Sequence, residues 1–257
     1  MKFFVHVITD YGTGDPAFGE VTQRIYASIP DAQLHFTSVH AFDTLATGFW
    51  IYQYGMGPHP EPMFIFANTA PRKDKKEARQ HNEGEQMMYG KLKNGVVIMA
   101  VNAGYCFSFV KHELDKFSVV EVANKGSQFR SRDFYPQALA EIVNHGNGVG
   151  VDTSVDSIPN APSHMIAWVD GYGNIKTSIR RSMIDFQPGE KVKVIINGVI
   201  RTALVAGGNF SVAEGELSFS PGSSGYDDPF MELFLRGGSA HSLFNQPPTQ
   251  AEIIVEK

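Results

Sequence analysis

The stretch Ile8-Thr9-Asp10-Tyr11-Gly12-Thr13-Gly14-Asp15 indicates the fold, because it follows directly after the apolar run Phe3–Val7. The run predicts a buried first strand, and the polar stretch then forms the turn that leaves it. Open α/β sheets present ligand-binding groups at the carboxyl ends of their strands. The carboxylate of Asp10 can accept hydrogen bonds from both hydroxyls of a ribose, and the glycines let a ligand approach the backbone. Asp and Gly after a strand also form ordinary turns, so both interpretations stay open at this point.

The first 151 residues alternate apolar β-like runs with helical segments, a pattern typical of a layered α/β domain. A helix is predicted over Pro16–Ser28, with Asp15 as its N-cap and proline at its first position. A later helix over Tyr135–Val143 is followed by the glycine-rich run 146–150, interpreted as a C-cap and linker. We therefore predict a Rossmann-like α/β domain with a mixed sheet over residues 1–151.

From residue 163 onward the pattern changes to short β-like runs separated by Gly and Asn turns. Asn197-Gly198 lies between the alternating runs Lys191–Ile196 and Val199–Ala203, and this is the strongest hairpin signal in the chain. Short strands at short intervals predict an antiparallel β-barrel domain over residues 163–257. Residues 152–162, which contain two prolines, are predicted to link the two domains.

Composition excludes several classes of protein. The chain has 257 residues, 42% of them hydrophobic and 19% charged, which is ordinary for a globular protein. A formal net charge of -5 does not indicate binding to nucleic acid or to an anionic membrane, both of which attract positively charged proteins. The single cysteine, Cys106, excludes an intrachain disulfide and a thiol-rich metal site. With neither a signal peptide nor an apolar run of about 18 residues, we expect a cytoplasmic protein.

Four segments spread over the chain carry a further signal: Thr9-Asp10-Tyr11-Gly12-Thr13-Gly14-Asp15; Phe129-Arg130-Ser131-Arg132-Asp133; Val169-Asp170-Gly171-Tyr172-Gly173-Asn174 with Thr177; and Ser223-Ser224-Gly225-Tyr226 with Glu232-Leu233 and Gly238-Ser239-Ala240. In that order they resemble the T-D-F-G-T-x-D, F-H-G-R-D, V-D-x-F-G-N-x-x-T and S-x-G-Y-L-E-I-A…G-S-A motifs of the S-adenosylmethionine hydroxide adenosyltransferases. That family also contains fluorinating and chlorinating enzymes that act on the same substrate.

The resemblance implies a seven-stranded α/β domain joined to a C-terminal β-barrel, assembled as a homotrimer or a multiple of trimers. It also implies that the substrate lies between the α/β domain of one subunit and the barrel of its neighbour. S-adenosylmethionine would be the substrate, and neither a separate cofactor nor a metal is expected. The reaction would be displacement at the ribose C5′, with water giving adenosine and L-methionine.

The resemblance assigns a part of the substrate to each of eight residues: Asp10 to the ribose diol; Tyr172 and Asn174 to adenine, helped by the backbone around Gly237 and Ser239; Asp170 to the methionine ammonium; and Ser223 or Ser224 to the methionine carboxylate. These residue types suit those tasks, since carboxylates accept from hydroxyls or ammonium groups and amides can both donate and accept.

The nucleophile side departs from the family pattern. Water-using members carry an Asp, an Arg and a His, but here Asn68 stands at the position of the Asp and Arg130 at that of the His. An amide cannot take a proton from water, and a guanidinium is too basic to do so at neutral pH. The counterpart of the arginine stays open among four basic residues: Arg72, Lys75, Lys76 and Arg79.

Three alternatives follow from this departure: another residue activates water, the nucleophile is already an anion such as a halide, or the protein binds the substrate without turning it over. Ser131 favours an anion, because the fluorinating members also have serine there, and Arg130 adds positive charge beside it. The competing interpretation is that Arg130 forms a structural ion pair with Asp133 or Glu141 and that Ser131 is a surface turn residue. Asn68, Arg130 and Ser131 are therefore the candidate catalytic residues.

Overall fold

A computed structural model describes residues 3–71, 84–123, 126–146, 148–208 and 211–257. The chain divides into two compact units, Met1–Asn160 and Ala161–Lys257. A Rossmann-like α/β domain with a mixed sheet, followed by an antiparallel β-barrel domain, was predicted, and the two-domain α/β fold class is confirmed.

The N-terminal unit is built on one mixed sheet. Its strands are β1 (Phe3–Thr9), β2 (Ala32–Ser38), β3 (Met63–Asn68), β4 (Met87–Leu92), β5 (Val97–Val101), β6 (Leu114–Val120) and β7 (Val149–Asp152). Among the described residues they form seven strands in the order β2-β1-β3-β5-β4-β6-β7. Strands β2, β1, β3 and β5 run parallel, whereas β4 pairs antiparallel with both β5 and β6, and β7 antiparallel with β6.

The helices of this unit are α1 (Pro16–Ser28), α2 (Thr44–Met56), α3 (Arg130–Asp133) and α4 (Tyr135–His145). The prediction for α1 is confirmed at both ends, and Asp15 accepts a hydrogen bond from the Ala17 N–H at 2.8 Å. Side chains alternate across a strand, so Val5 packs with Ile25 of α1, while His6 faces the other way and stacks on Tyr54 of α2 at 3.9 Å. Helices therefore cover both faces of β1.

The glycine-rich run after α4 was only partly predicted. Gly146 ends the helix in the left-handed conformation with φ 65°, as expected of a C-cap. The interpretation of the rest of the run as a linker is wrong, because Val149 pairs with Val120 and begins β7. A strand of four residues that includes a glycine shows little alternation of apolar and polar residues, so its sequence does not predict it. Whether such a segment forms a strand depends on the strand beside it.

The C-terminal unit is a second curled sheet. Its strands are β8 (Ile166–Val169), β9 (Ile175–Arg180), β10 (Lys191–Ile196), β11 (Val199–Val205), β12 (Leu217–Pro221), β13 (Phe230–Leu235) and β14 (Ile253–Glu256), with the short helix α5 at Ala240–Leu243. The order is β14-β10-β11-β12-β13-β9-β8. The hairpin at Asn197-Gly198 is confirmed, since β10 and β11 pair antiparallel around it.

Two features of this sheet refine the predicted antiparallel barrel. The chain around the start of β8 bonds to the chain around the start of β14. The Ile166 N–H donates to Ala251 O at 2.9 Å, and the Ile253 N–H donates to His164 O at 2.9 Å. These bonds connect the two edges of the sheet. The pairing of β11 with β12 is parallel, however, so the unit is not purely antiparallel. In the portion of the chain that the structure covers, no helix is long and apolar enough to cross a bilayer.

Candidate functional site

The carboxyl ends of β1 and β3 bring two predicted site segments together. Thr9 and Asn68 are register neighbours on these parallel strands, so Asp10 and Tyr11 leave the sheet beside Asn68. The side chain of Thr9 donates a hydrogen bond to the Tyr11 carbonyl at 2.8 Å, which fixes the start of the turn. The predicted ribose-binding and nucleophile-side residues therefore lie at the same edge of the sheet.

Tyr11 is the point where three segments meet. The Tyr11 hydroxyl is buried, with no hydrogen-bond partner in the described part of the chain. Burial raises the pKa of Tyr11 to about 12; the neighbouring polar side chains of Ser131 and Asn68 lower it, and the negative charges of Asp10 and Asp15 raise it further. The Tyr11 ring also packs edge-on against Phe129 at 6.2 Å. At neutral pH its hydroxyl keeps its proton, so Tyr11 can donate a hydrogen bond at this place.

Sequence reasoning missed Tyr11, although a signal was present. The family motif carries phenylalanine at this position, and the chain differs from it by one hydroxyl. That hydroxyl lies beside Ser131 and Asn68, two of the three residues singled out as catalytic candidates.

Asp10 lies in the same turn, where the backbone of the loop before α2 binds its carboxylate. Its Oδ2 accepts a hydrogen bond from the Phe42 N–H at 2.9 Å. Phe42 has a φ of 66° and its side chain is half exposed, so the loop before α2 reaches over to the turn after β1. This contact orients the carboxylate that is predicted to bind the ribose diol.

The segment around α3 places Arg130 and Ser131 in different surroundings. Ser131 is buried, which contradicts the interpretation of this residue as a surface turn residue. Arg130 Nη1 donates to the Glu85 carbonyl at 3.3 Å, and its guanidinium lies 5.9 Å from the centre of the Tyr135 ring. The guanidinium also packs so closely on Gly84 that any side chain there would collide with it.

Arg132 forms two ion pairs in this segment. Arg132 Nε lies 2.7 Å from Asp133, and Arg132 Nη1 lies 2.7 Å from Glu20 of α1. Arg132 and a hydrogen bond from Ser127 lower the pKa of Asp133 to about 2. Asp133 is thus held by Arg132, and Arg130 is directed toward Glu85 and Tyr135. The four basic candidates Arg72, Lys75, Lys76 and Arg79 lie outside the described residues.

In the C-terminal unit, Asp170 organises the predicted adenine-binding turn. Its Oδ1 accepts hydrogen bonds from the N–H groups of Tyr172 at 2.9 Å and Asn174 at 3.0 Å, and its Oδ2 accepts from Asn174 Nδ2 at 2.9 Å. Asp170 was predicted to attract the methionine ammonium. The structure shows it shaping the turn between β8 and β9.

Two side chains of this turn present groups suited to a purine. Asn174 is buried, and its Oδ1 has no hydrogen-bond partner within the described residues. A buried carbonyl oxygen without a partner can accept from an exocyclic amine. The Tyr172 ring is 84% exposed and can stack on an aromatic ring.

Ser239, which was predicted to help bind adenine, and His241 pack against this turn. The His241 N–H donates to the Gly173 carbonyl at 2.9 Å. Gly173 has a φ of 81°, and a side chain on it would overlap Ser239. Only glycine therefore fits there, and the turn that holds Tyr172 and Asn174 directly contacts Ser239 and His241. Gly237, also predicted to help bind adenine, lies against Glu214.

Ser223 and Ser224 lie near a buried ion pair that sequence reasoning missed. Lys176 Nζ lies 2.9 Å from Glu232 Oε2 and 3.4 Å from Ser223 Oγ. Ser224 is buried, and its carbonyl accepts from the Phe230 N–H at 2.8 Å. Lys176 is a charged residue in a strand whose first five residues are all buried. Across the described ranges, no group of three His, Cys, Asp or Glu side chains could hold a metal ion.

Comparison with known proteins identifies the second unit. Residues 164–251 match the family model described as the SAM hydroxide adenosyltransferase C-terminal domain. Residues 164–251 of the β-rich second unit are therefore similar to that domain. The match agrees with the resemblance drawn from the motifs and covers the two that lie in this unit.

Solved structures agree with the fold over the whole length. An uncharacterized conserved protein from Thermotoga maritima is 20% identical with a TM-score of 0.77, covering 98% of this chain and 99% of that one. A conserved hypothetical protein from Thermus thermophilus is 16% identical with a TM-score of 0.69, covering 99% and 100%. No curated protein matches the chain. At these identities the neighbours show that the two-unit fold is shared.

Proposed function

We propose that this protein cleaves S-adenosylmethionine by transferring the 5′-deoxyadenosyl group to water, giving adenosine and L-methionine. A bond forms between the water oxygen and C5′ while the C5′–S bond breaks. Its electron pair stays on sulfur, so the sulfonium leaves as a neutral thioether, and one proton of the water is released. Support comes from the SAM hydroxide adenosyltransferase domain and from the convergence of Tyr11, Asn68 and Ser131, which is the observation that carries the proposal.

The substrate's chemistry decides what the protein has to supply. A sulfonium leaves without being protonated, so the protein needs to align the nucleophile with C5′ and sulfur and to strip water from the nucleophile. Hydrogen-bond donors at the carboxyl edge of the N-terminal sheet suit the first task. Tyr11, which keeps its proton, and buried Ser131 can both donate to an oxygen nucleophile.

Recognition of the rest of the substrate falls to the residues that the resemblance assigned. Asp10 would accept from the ribose hydroxyls with its carboxylate. In the C-terminal unit, the free Oδ1 of Asn174 would accept from the adenine amine, and the exposed Tyr172 ring would stack on the base. S-adenosylmethionine is the substrate in this proposal, and a separate cofactor has no part in it. We also propose a homotrimeric assembly, as the family resemblance implies.

A direct assay tests the reaction. Purified protein is incubated with S-adenosylmethionine, and adenosine is measured by chromatography against a sample without protein, which corrects for spontaneous decay. The Asp10→Ala variant is the matched control, because it removes the proposed ribose contact. Formation of adenosine by the wild type alone supports the proposal, whereas wild-type adenosine no higher than the sample without protein refutes it.

An anion-using reaction is the second candidate. It is favoured by the neutral donors Tyr11, Ser131 and Asn68, which meet in one place and would suit a halide as well as hydroxide. The same assay with added fluoride or chloride distinguishes the two. A halogenated nucleoside that forms only with salt, in place of adenosine, establishes the anion reaction.

A further inference from the structure

Glu85, between Gly84 and β4, is a buried acid with no evident structural task. It is 5% exposed, and its Oε1 is buried with no hydrogen-bond partner in the described part of the chain. Leaving a carboxylate oxygen buried without a partner destabilises a fold, so such groups call for a functional explanation.

The surroundings of Glu85 connect it to the nucleophile side of the proposed site. Its carbonyl accepts the hydrogen bond from Arg130 Nη1, and Ser131 is the next residue along α3. Burial raises the pKa of Tyr135, the positive charge of Arg130 lowers it, and the negative charge of Glu85 raises it further. The Arg130 guanidinium lies 5.9 Å from the centre of the Tyr135 ring and binds the Glu85 backbone, so Glu85 belongs to the surroundings of α3.

Other carboxylates around this site already have partners. Asp10 accepts from the Phe42 backbone, and Asp15 caps α1 through the Ala17 N–H. Asp133 and Glu20 are both bound by Arg132. The Oε1 of Glu85, by contrast, is buried with no hydrogen-bond partner in the described residues.

We propose that Glu85 is the general base that takes a proton from the attacking water, in place of the acid and the histidine that Asn68 and Arg130 have replaced. This inference rests on the proposed hydrolysis. As the water oxygen bonds to C5′ and the C5′–S bond breaks, one water proton passes to a Glu85 carboxylate oxygen and later to solvent. Arg130 supplies a positive charge beside the same segment, which offsets the buried negative charge.

The test compares Glu85→Gln, Glu85→Asp and the matched control Glu113→Gln, a glutamate of the same unit that is 40% exposed and paired with Lys93 at 3.6 Å. For each variant, kcat and KM for adenosine formation are measured across a range of pH. Loss of a general base lowers kcat by about 10²- to 10⁴-fold. We expect that loss in Glu85→Gln with KM changed by less than about threefold, and no change in Glu113→Gln.

Two further readouts separate a base from a structural residue. In Glu85→Gln the remaining rate should rise by about tenfold for each pH unit, because hydroxide then replaces the missing base. Glu85→Asp keeps a carboxylate and should retain a rate between those of the wild type and Glu85→Gln. Binding of S-adenosylmethionine to Glu85→Gln, measured by calorimetry, should match the wild type.

The outcomes distinguish this inference from the proposed function. If the wild type forms adenosine and Glu85→Gln forms it equally fast, Glu85 is not the base and the hydrolysis proposal stands. If the wild type forms no adenosine, both the hydrolysis proposal and the inference about Glu85 are refuted. If Glu85→Gln unfolds, the decision passes to Glu85→Asp, where a kcat below the wild-type value with an unchanged KM supports the base. A wild-type kcat in Glu85→Asp, or loss of S-adenosylmethionine binding by it, overturns the inference.

Discussion

Breaking the ion pair between Lys176 and Glu232 is expected to destabilise the C-terminal unit strongly. The two charged atoms lie 2.9 Å apart, and the side chains are 11% and 4% exposed. Lys176→Met replaces the cation with an apolar chain of similar length and leaves the Glu232 carboxylate buried without its partner. Removing one member of such a pair lowers the free energy of unfolding by about 3–5 kcal/mol.

Urea unfolding followed by Trp168 fluorescence measures this loss. The chain has two tryptophans, so a Trp50→Phe background isolates Trp168, which is the cross-strand neighbour of Lys176. With a urea dependence of about 2 kcal/mol per M, the midpoint should fall by about 2 M.

A matched pair on the same unit provides the control. Lys193 and Glu256 lie 3.8 Å apart, and both are more than half exposed. Exposed pairs contribute less than about 1 kcal/mol, so Lys193→Met should move the midpoint little. The double variant Lys176→Met/Glu232→Gln removes the unpaired charge and should recover part of the loss. Equal midpoints for Lys176→Met and Lys193→Met would show that the buried pair does not stabilise the unit.

Four more predictions concern binding, catalysis, assembly and pH. Asp10→Ala should abolish binding of S-adenosylmethionine in calorimetry, and unchanged affinity would contradict the ribose assignment. Tyr11→Phe removes one donated hydrogen bond and should lower kcat by about 10-fold while leaving the urea midpoint nearly unchanged. Mixing inactive Asp10→Ala with inactive Asn174→Ala should restore adenosine formation if subunits share the site, whereas no recovery after subunit exchange argues against sharing. Burial and the nearby His35 lower the pKa of His6 to about 4, below its unfolded value of 6.5. The unfolded chain therefore binds more protons between these values, so stability should fall as pH drops from about 6.5 toward 4, and His6→Asn should flatten that part of the urea-midpoint profile.

Local signals explain which elements could be predicted. Helix α1 was predicted with its bounds because Asp15 and Pro16 act on the first turn, where capping energies are set by adjacent residues. The Asn197-Gly198 hairpin was predicted for the same reason. Strand β7 and the parallel pairing of β11 with β12 were not, since both depend on which distant strand lies alongside.

The residues of the candidate site also differ in how far the sequence alone could place them. Asp10 and Asn68 could be placed at one edge because parallel strands end together there. Ser131 could be joined to them only through the motif resemblance. Glu85 carried no sequence signal, because its importance comes from burial beside Arg130, which only the folded chain shows.

The turn held by Asp170 has a consequence for the energetics of ligand capture. Three hydrogen bonds accepted by one carboxylate and the tight packing of Gly173 on Ser239 already immobilise its backbone. A ligand bound there as proposed would have to freeze little more than the Tyr172 ring, an entropy loss of about 0.5–1.5 kcal/mol. The affinity of such a ligand would then depend mainly on its contacts with the turn, because almost no free energy is lost in ordering the loop. Weak ligands such as free adenine should therefore bind rapidly and with little change in the backbone.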